Sequence, residues 1–177
     1  MAATNGIPDR LHDMRTYIGK GSKISAGIAT VTLPDIAYVT DTLKGAAVAG
    51  ELETIAPGLL KAMDLSLDYH TVTDDVFELS KPTSHYIDCR SVVNVIDGGD
   101  GAPKSEGWRV VAVGTPKTTK VGKVEPNSTM GTNVNLSISS YQVYHGGKEL
   151  VYIDVLNYIC RIGGEDYLAE ARALMGL

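Results

Sequence analysis

A chain of 177 residues and 18.8 kDa is long enough to bury a real core and short enough to form a single domain. Valine, isoleucine and threonine together supply 44 residues, about a quarter of the chain, and 19 Gly with 7 Pro punctuate them, which favours strands and turns over a helical bundle. A net charge of −5 argues against an open basic groove for nucleic acid, and no apolar run approaches the length of a membrane-spanning helix. The opening Met1 to Arg10 lacks the basic and apolar regions of a signal peptide. Cys89 and Cys160, 71 positions apart, are no disulfide framework, so a cytoplasmic compartment is expected.

In chain order, Ile24 to Leu33 reads as a strand that Pro34 ends or confines to an edge. Thr40 to Gly58 has no clear period, is rich in small residues, and reads as a long loop or extended hairpin; a loop of that length in a compact domain is uncommon unless it has a function. Met63, Leu65, Leu67 and Tyr69 alternate with Asp64, Ser66, Asp68 and His70, the pattern of a half-buried strand. Thr73 can cap a short helix with Asp74 and Asp75 in its first turn and Val76 and Leu79 one turn apart, closed by Pro82.

Ile87, Cys89, Ser91, Val93 and Val95 define a further strand before the turn Asp97-Gly-Gly-Asp-Gly101, and Trp108 to Val113 another. Val134, Leu136 and Ile138 are apolar in one phase and Tyr141 and Val143 in the other, so a bulge is predicted around Ser139-Ser140. His145-Gly-Gly-Lys148 is a hairpin turn, and Leu150 to Ile159 a last strand or strand pair. Leu168, Ala171, Leu174 and Met175 recur at helical spacing, with Gly176 as the stop.

The charge is uneven. Asp35 to Glu78 contains nine acids against Lys44 and Lys61, a local −7 on a remainder of +2. Such a stretch is either a solvated face or a surface that repels a polyanion. Lys117, Lys120 and Lys123, without interleaved aromatics, look like a flexible charged loop.

No catalytic constellation emerges. His12, His70, His85 and His145 show no metal-ligand spacing and read as surface residues, and both cysteines read as small core hydrophobes. Gly19-Lys-Gly21 and Gly98 to Gly101 lack the full spacing of a phosphate cradle and read as turns. Asp74 and Asp75, adjacent on a helix, diverge by ~100° and form no catalytic pair. No metal and no cofactor are expected.

The C-terminal third carries a resemblance. Gly147-Lys-Glu-Leu-Val-Tyr-Ile-Asp154-Val-Leu-Asn157, then Gly163-Gly-Glu-Asp-Tyr-Leu168 and the ending Met175-Gly-Leu177, resembles the end of the major tail tube protein of contractile-tailed phages. Val31-Thr-Leu-Pro34 followed by Lys44-Gly-Ala46 and Gly50, and Met63-Asp-Leu-Ser-Leu67 before a short helix, agree in order. The resemblance weakens in the first twenty residues and in Asp97 to Gly107.

The resemblance implies a mainly β protomer, a barrel or sandwich with a short helix and a C-terminal helix over 165–175, acting as a non-enzymatic structural subunit. Its copies would form hexameric rings, the sheets of neighbours joining into a β-barrel around a lumen, and the rings would stack into the inner tube of a contractile tail. It further implies an N-terminal arm over 1–20 and an inter-ring loop over 40–58. Thr40, Leu43, Lys44, Gly45, Ala46, Ala49, Gly50 and Glu51 are the expected contact residues, and the small ones allow close backbone approach. Partners would be sheath, tape-measure, baseplate and tail terminator proteins, with DNA passing through unbound. Asp64 and Asp68 are the candidates for lumen-facing carboxylates that repel DNA phosphates. The same family supplies the tubes of R-type bacteriocins, a second setting for the same subunit; a monomeric small-molecule-binding barrel and a small hydrolase are alternatives of other classes.

Overall fold

The computed structural model describes residues 6–19, 23–44 and 50–176. It is mainly antiparallel β, as composition and resemblance both imply. Among the described residues, twelve strands and two helices follow in order: β1 (Gly6–Ile18), β2 (Lys23–Ile24), β3 (Ile28–Thr32), β4 (Tyr38–Leu43), β5 (Leu52–Leu60), β6 (Met63–Tyr69), α1 (Asp74–Leu79), β7 (His85–Asp97), β8 (Pro103–Lys120), β9 (Thr132–His145), β10 (Lys148–Asp154), β11 (Ile159–Ile162), β12 (Glu165–Asp166) and α2 (Ala169–Met175). Ten strands form one sheet with the path β12-β11-β10-β9-β8-β7-β1-β2, while β6 adds to β9 and β3 to β6. β4 and β5 form a separate two-stranded hairpin.

The sheet turns on β9. Its first half pairs with β6, from Met63↔Ile138 to Tyr69↔Thr132, and its second half pairs with β10, from Asp154↔Ser140 to Lys148↔His145. β8 runs along the opposite edge of both halves. Where the halves meet, Val113 pairs with Ser140 and Gly114 with Ile138, leaving Ser139 as the extra residue of a bulge. The phase slip read from the sequence is this bulge. Because side chains alternate with period two, one added residue keeps Val134, Leu136 and Ile138 on the same side as Tyr141. The extra residue is hydrogen-bonded: its carbonyl accepts from Val155 N–H (3.0 Å) and its hydroxyl donates to the Val113 carbonyl (3.2 Å).

Met63, Leu65, Leu67 and Tyr69 from β6, Ile87 and Cys89 from β7, Val110 and Ala112 from β8, Ile153 and Cys160 join these β9 residues in one continuous core. α1 closes it with Val76 and Leu79, both fully buried, each contributing about 1.5–3 kcal/mol by leaving water. Thr73 occupies the N-cap position without a side-chain cap bond, so the two aspartates of the first turn carry the polarity of this short helix.

Several expectations need refinement. Residues 6–18, expected as an N-terminal arm, form β1, paired with β7 along its length. Ile24 to Leu33 is divided by a turn into β2 and β3. Lys117 to Lys123 is not wholly a loop: β8 continues to Lys120. Leu150 to Ile159 falls into β10, a turn in which the Asp154 carboxylate accepts from Leu156 and Asn157 N–H, and the start of β11. α2 begins at Ala169, because Glu165 and Asp166 pair with β11 as β12. His145-Gly-Gly-Lys148 is the two-residue hairpin turn expected, with both central glycines at positive φ (55° and 81°), as a primed turn requires.

Deleting Ser139 turns one half of β9 inside out and is expected to abolish the cooperative urea transition. Ser139→Ala, which loses a single hydroxyl bond, is expected to cost only about 1 kcal/mol in the same measurement.

Candidate assembly surfaces

Three surfaces follow from this frame. The first is the polar side of β6, β9 and the second half of β8. The alternation that buries Met63 to Tyr69 sends Asp64, Ser66 and Asp68 to the other face, across from Ser137, Asn135 and Asn133. Lys117 Nζ lies 2.6 Å from Asp64 Oδ2, and Asn133 Nδ2 donates to Ser66 Oγ (2.6 Å) and Asp68 Oδ1 (2.7 Å). Asp64 and Asp68 therefore share one face, tied into a polar network, with Asp64 paired to a cation rather than standing as bare negative charge. The acidic segment is not one surface: Asp41, Glu51 and Glu53 ride on the β4–β5 hairpin, Asp64 and Asp68 on this face, and Asp74, Asp75 and Glu78 on α1.

The second surface is the β4–β5 hairpin. Thr40 pairs with Ile55, Asp41 with Thr54, Thr42 with Glu53 and Leu43 with Leu52, and Lys44 Nζ reaches Glu51 Oε1 at 2.6 Å. Gly45, Ala46 and Ala49 lie outside the described residues; Gly50 and Glu51 are exposed. Leu43, Leu52 and Ile55 are each more than half exposed, and they point to both faces of the hairpin. Among the described residues, its base packs on the body. Gly58, at φ 80°, presses on Leu168 so closely that a Cβ there would stand 2.6 Å from the leucine Cδ2. Beside it, Val39, Leu59 and Leu60 line a cleft of about 240 Å³ with Ile153, Val155 and Tyr158 at the β10–β11 turn.

The third surface, with no counterpart among the expected sites, is an open groove of about 740 Å³ across β1, β7, β8 and β9. Arg15, Tyr17, Arg90, Trp108, Arg109 and Tyr144 dominate its lining. Beneath it, Asp88 is only 4% exposed, and both arginines grip it: Arg109 through Nε (2.9 Å) and Nη2 (2.8 Å), Arg90 through Nη2 (2.9 Å) and Nε (3.3 Å). Arg90 also lies over the Tyr17 ring (4.8 Å) and Arg109 over Tyr144 (6.0 Å). Burial pushes the Asp88 carboxyl up, but the hydrogen bonds from Arg109 and Arg90 outweigh it and hold it below its ordinary value. Trp108 stacks on His145 (4.5 Å between ring centres), and His145 Nε2 hydrogen-bonds Glu106 (2.7 Å). The sequence signal for this cluster was an acid and an arginine two apart on the polar phase of an otherwise apolar strand, Asp88 and Arg90.

Cys89 and Cys160 are buried core residues, as read from the sequence. His85, expected at the surface, is instead buried, its Nε2 donating to the Lys81 carbonyl (2.9 Å) under the end of α1. Among the described residues, no group of three or more His, Cys, Asp or Glu side chains is placed to hold a metal, and no helix is long and apolar enough to cross a membrane.

A sheet protein whose distinctive features are an outstanding hairpin, a polar sheet face and an arginine-aromatic groove belongs to the class of structural β proteins that present surfaces. The chain belongs to the phage tail tube protein FII family, whose profile matches residues 8–176, and it is accordingly a structural subunit of a tail tube. No curated protein matches it. Among solved structures it is similar to a chain in the cryo-EM structure of the anti-feeding prophage baseplate, 6-fold symmetrised, at 12% identity and a TM-score of 0.40, covering 80% of this chain and 97% of that one.

Replacing Arg90 and Arg109 together by Met strands a buried carboxylate and is expected to cost about 3 kcal/mol or more in urea denaturation. Asp88→Asn leaves two half-exposed guanidiniums to water and is expected to cost only about 1 kcal/mol. Since the folded carboxyl titrates below its unfolded value, the stability from Asp88 is complete above the ordinary carboxylate range and is lost as pH falls through the folded value. The gap between wild type and Asp88→Asn should therefore close on acidification.

Proposed function

We propose that six copies of this chain close into a ring, and that rings stack into the hollow inner tube of a contractile tail, the conduit for DNA during ejection. The observation that carries this reading is the outer edge of β1. Among the described residues no strand pairs with that edge from Gly6 to Arg15, although β1 is 13 residues long. Ile7 (63% exposed) and Leu11 (55%) are also left uncovered on it. A long open edge with exposed apolar side chains is an aggregation hazard in a monomer. Heterologous contacts that close into a ring cover it in every copy.

In this reading the face bearing Asp64 and Asp68 lines the lumen. Its hydrogen-bonded amides and carboxylates, with Lys117 held by Asp64, offer passing phosphates little net attraction and no apolar surface. The hairpin carrying Thr40, Leu43, Lys44, Gly50 and Glu51, with Gly45, Ala46 and Ala49 between them in sequence, reaches the next ring. α2, whose Leu174 and Met175 are exposed, adds a further contact. The outside of the tube meets the sheath, and its ends meet baseplate and terminator proteins. The protein is a scaffold with no catalytic role and no cofactor, assembled in the host cytoplasm and carried in the virion tail.

Negative-stain microscopy and sedimentation of concentrated protein test this reading. Wild type is expected to give rings and stacked tubes. Leu43→Asp with Leu52→Asp, on side chains that touch no core, is expected to keep the monomer folded and to leave rings that do not stack. Tubes of normal length from this variant would contradict the assignment of the hairpin.

A further inference from the structure

The hairpin and the groove lie at opposite ends of the same strand. The hairpin base packs at the β10–β11 turn, against Ile153, Val155 and Tyr158, whereas the groove ends at Gly147, in the turn that opens β10. β10 spans seven residues, so roughly 20 Å separate the two. Two different surfaces that complement each other from opposite ends of a protomer suit a heterologous contact between copies. Made head to tail along an axis, such a contact repeats from copy to copy.

They are complementary in charge. The described part of the hairpin carries Asp41, Glu51 and Glu53 against Lys44. The groove carries Arg15, Arg90 and Arg109 against Asp13 and the buried Asp88, a positive patch on a protein of net charge −5. They are complementary in apolar surface too, with exposed Leu43, Leu52 and Ile55 on one and the half-buried rings of Tyr17 and Tyr144 on the other. Two of these arginines, Arg90 and Arg109, are set in advance. Asp88 takes Nε and Nη2 of both Arg90 and Arg109, which fixes each guanidinium plane and leaves its Nη1 edge for a visiting carboxylate. Fixed arginines among half-buried aromatics are also the residue types that dominate binding energy at protein interfaces.

We infer that the Arg15–Arg90–Arg109 groove is the receptor for the β4–β5 hairpin of a second copy in the adjacent ring. Glu53 and Glu51 face the guanidiniums, and Leu43 and Leu52 cover the aromatic rings. This rests on the stacking reading above and names the surface that the hairpin meets. Rim ion pairs contribute mainly direction and register; burial of the leucines against Tyr17 and Tyr144 supplies most of the attraction. A single contact can be weak, because a ring presents all its hairpins at once.

The test uses the full chain in tube-forming conditions. Arg15→Cys combined with Glu53→Cys should give, on oxidation, a ladder of covalent multimers that runs beyond six; each single variant should give none beyond dimers. Cys89 and Cys160 are buried and do not compete. Arg15→Glu alone and Glu53→Arg alone should each lower the sedimentable tube fraction about tenfold, and the combined charge swap should restore most of it. Tubes from wild type together with unimpaired single variants and no ladder would overturn the groove as the receptor while leaving stacking intact. Wild-type protein that forms neither rings nor tubes would overturn the stacking reading and this inference with it.

Discussion

β9 has to serve two different partners along one edge, and the extra residue at Ser139 allows both halves of the strand to face the same core. Side chains on a regular strand alternate, so a shared strand that bends the sheet from β6 to β10 would otherwise expose half of its apolar residues. With the bulge, Leu136 and Tyr141 both lie in the core, and the sheet divides into a β6–β3 branch and a β10–β11–β12 branch. The same division separates the ends of the protomer. The hairpin roots where β10 meets β11; the groove opens where β9 meets β10.

The ion cluster under the groove contributes little as a source of stability, since a buried carboxylate costs much of what its partners return. Its effect is geometric. Asp88 holds two guanidiniums at fixed positions over Tyr17 and Tyr144, so the groove keeps its shape without a partner. In the proposed stack of rings that rigidity would favour assembly, because side chains already ordered lose little entropy on docking.

Much of this was legible in the sequence, and the successes share a cause. Met63 to Tyr69, the bulge at Ser139, the Gly146-Gly147 turn and α1 are written in local patterns: period two, a phase slip, a dipeptide with positive φ, a first turn of acids. β1 was not, because it is exposed on both faces along most of its length and shows no alternation; only its pairing with β7 makes it a strand. The arginine groove was hidden for a related reason. Arg15, Arg90 and Arg109 come from three different strands and become neighbours only through the registers Arg15↔Arg90 and Arg90↔Arg109. The acidic excess was visible as a count but not as a place, and the fold scatters it over the hairpin, a sheet face and a helix.

The central claim, that one end of the protomer is shaped to receive the other, is tested most directly by a cryo-EM reconstruction of the assembled tube at side-chain resolution. The account predicts that Glu53 and Leu52 of each copy lie on Arg15, Arg109 and Tyr144 of a copy in the adjacent ring, with the Asp64–Asp68 face toward the lumen. A tube in which the groove opens to solvent while the hairpin contacts its own ring would contradict it.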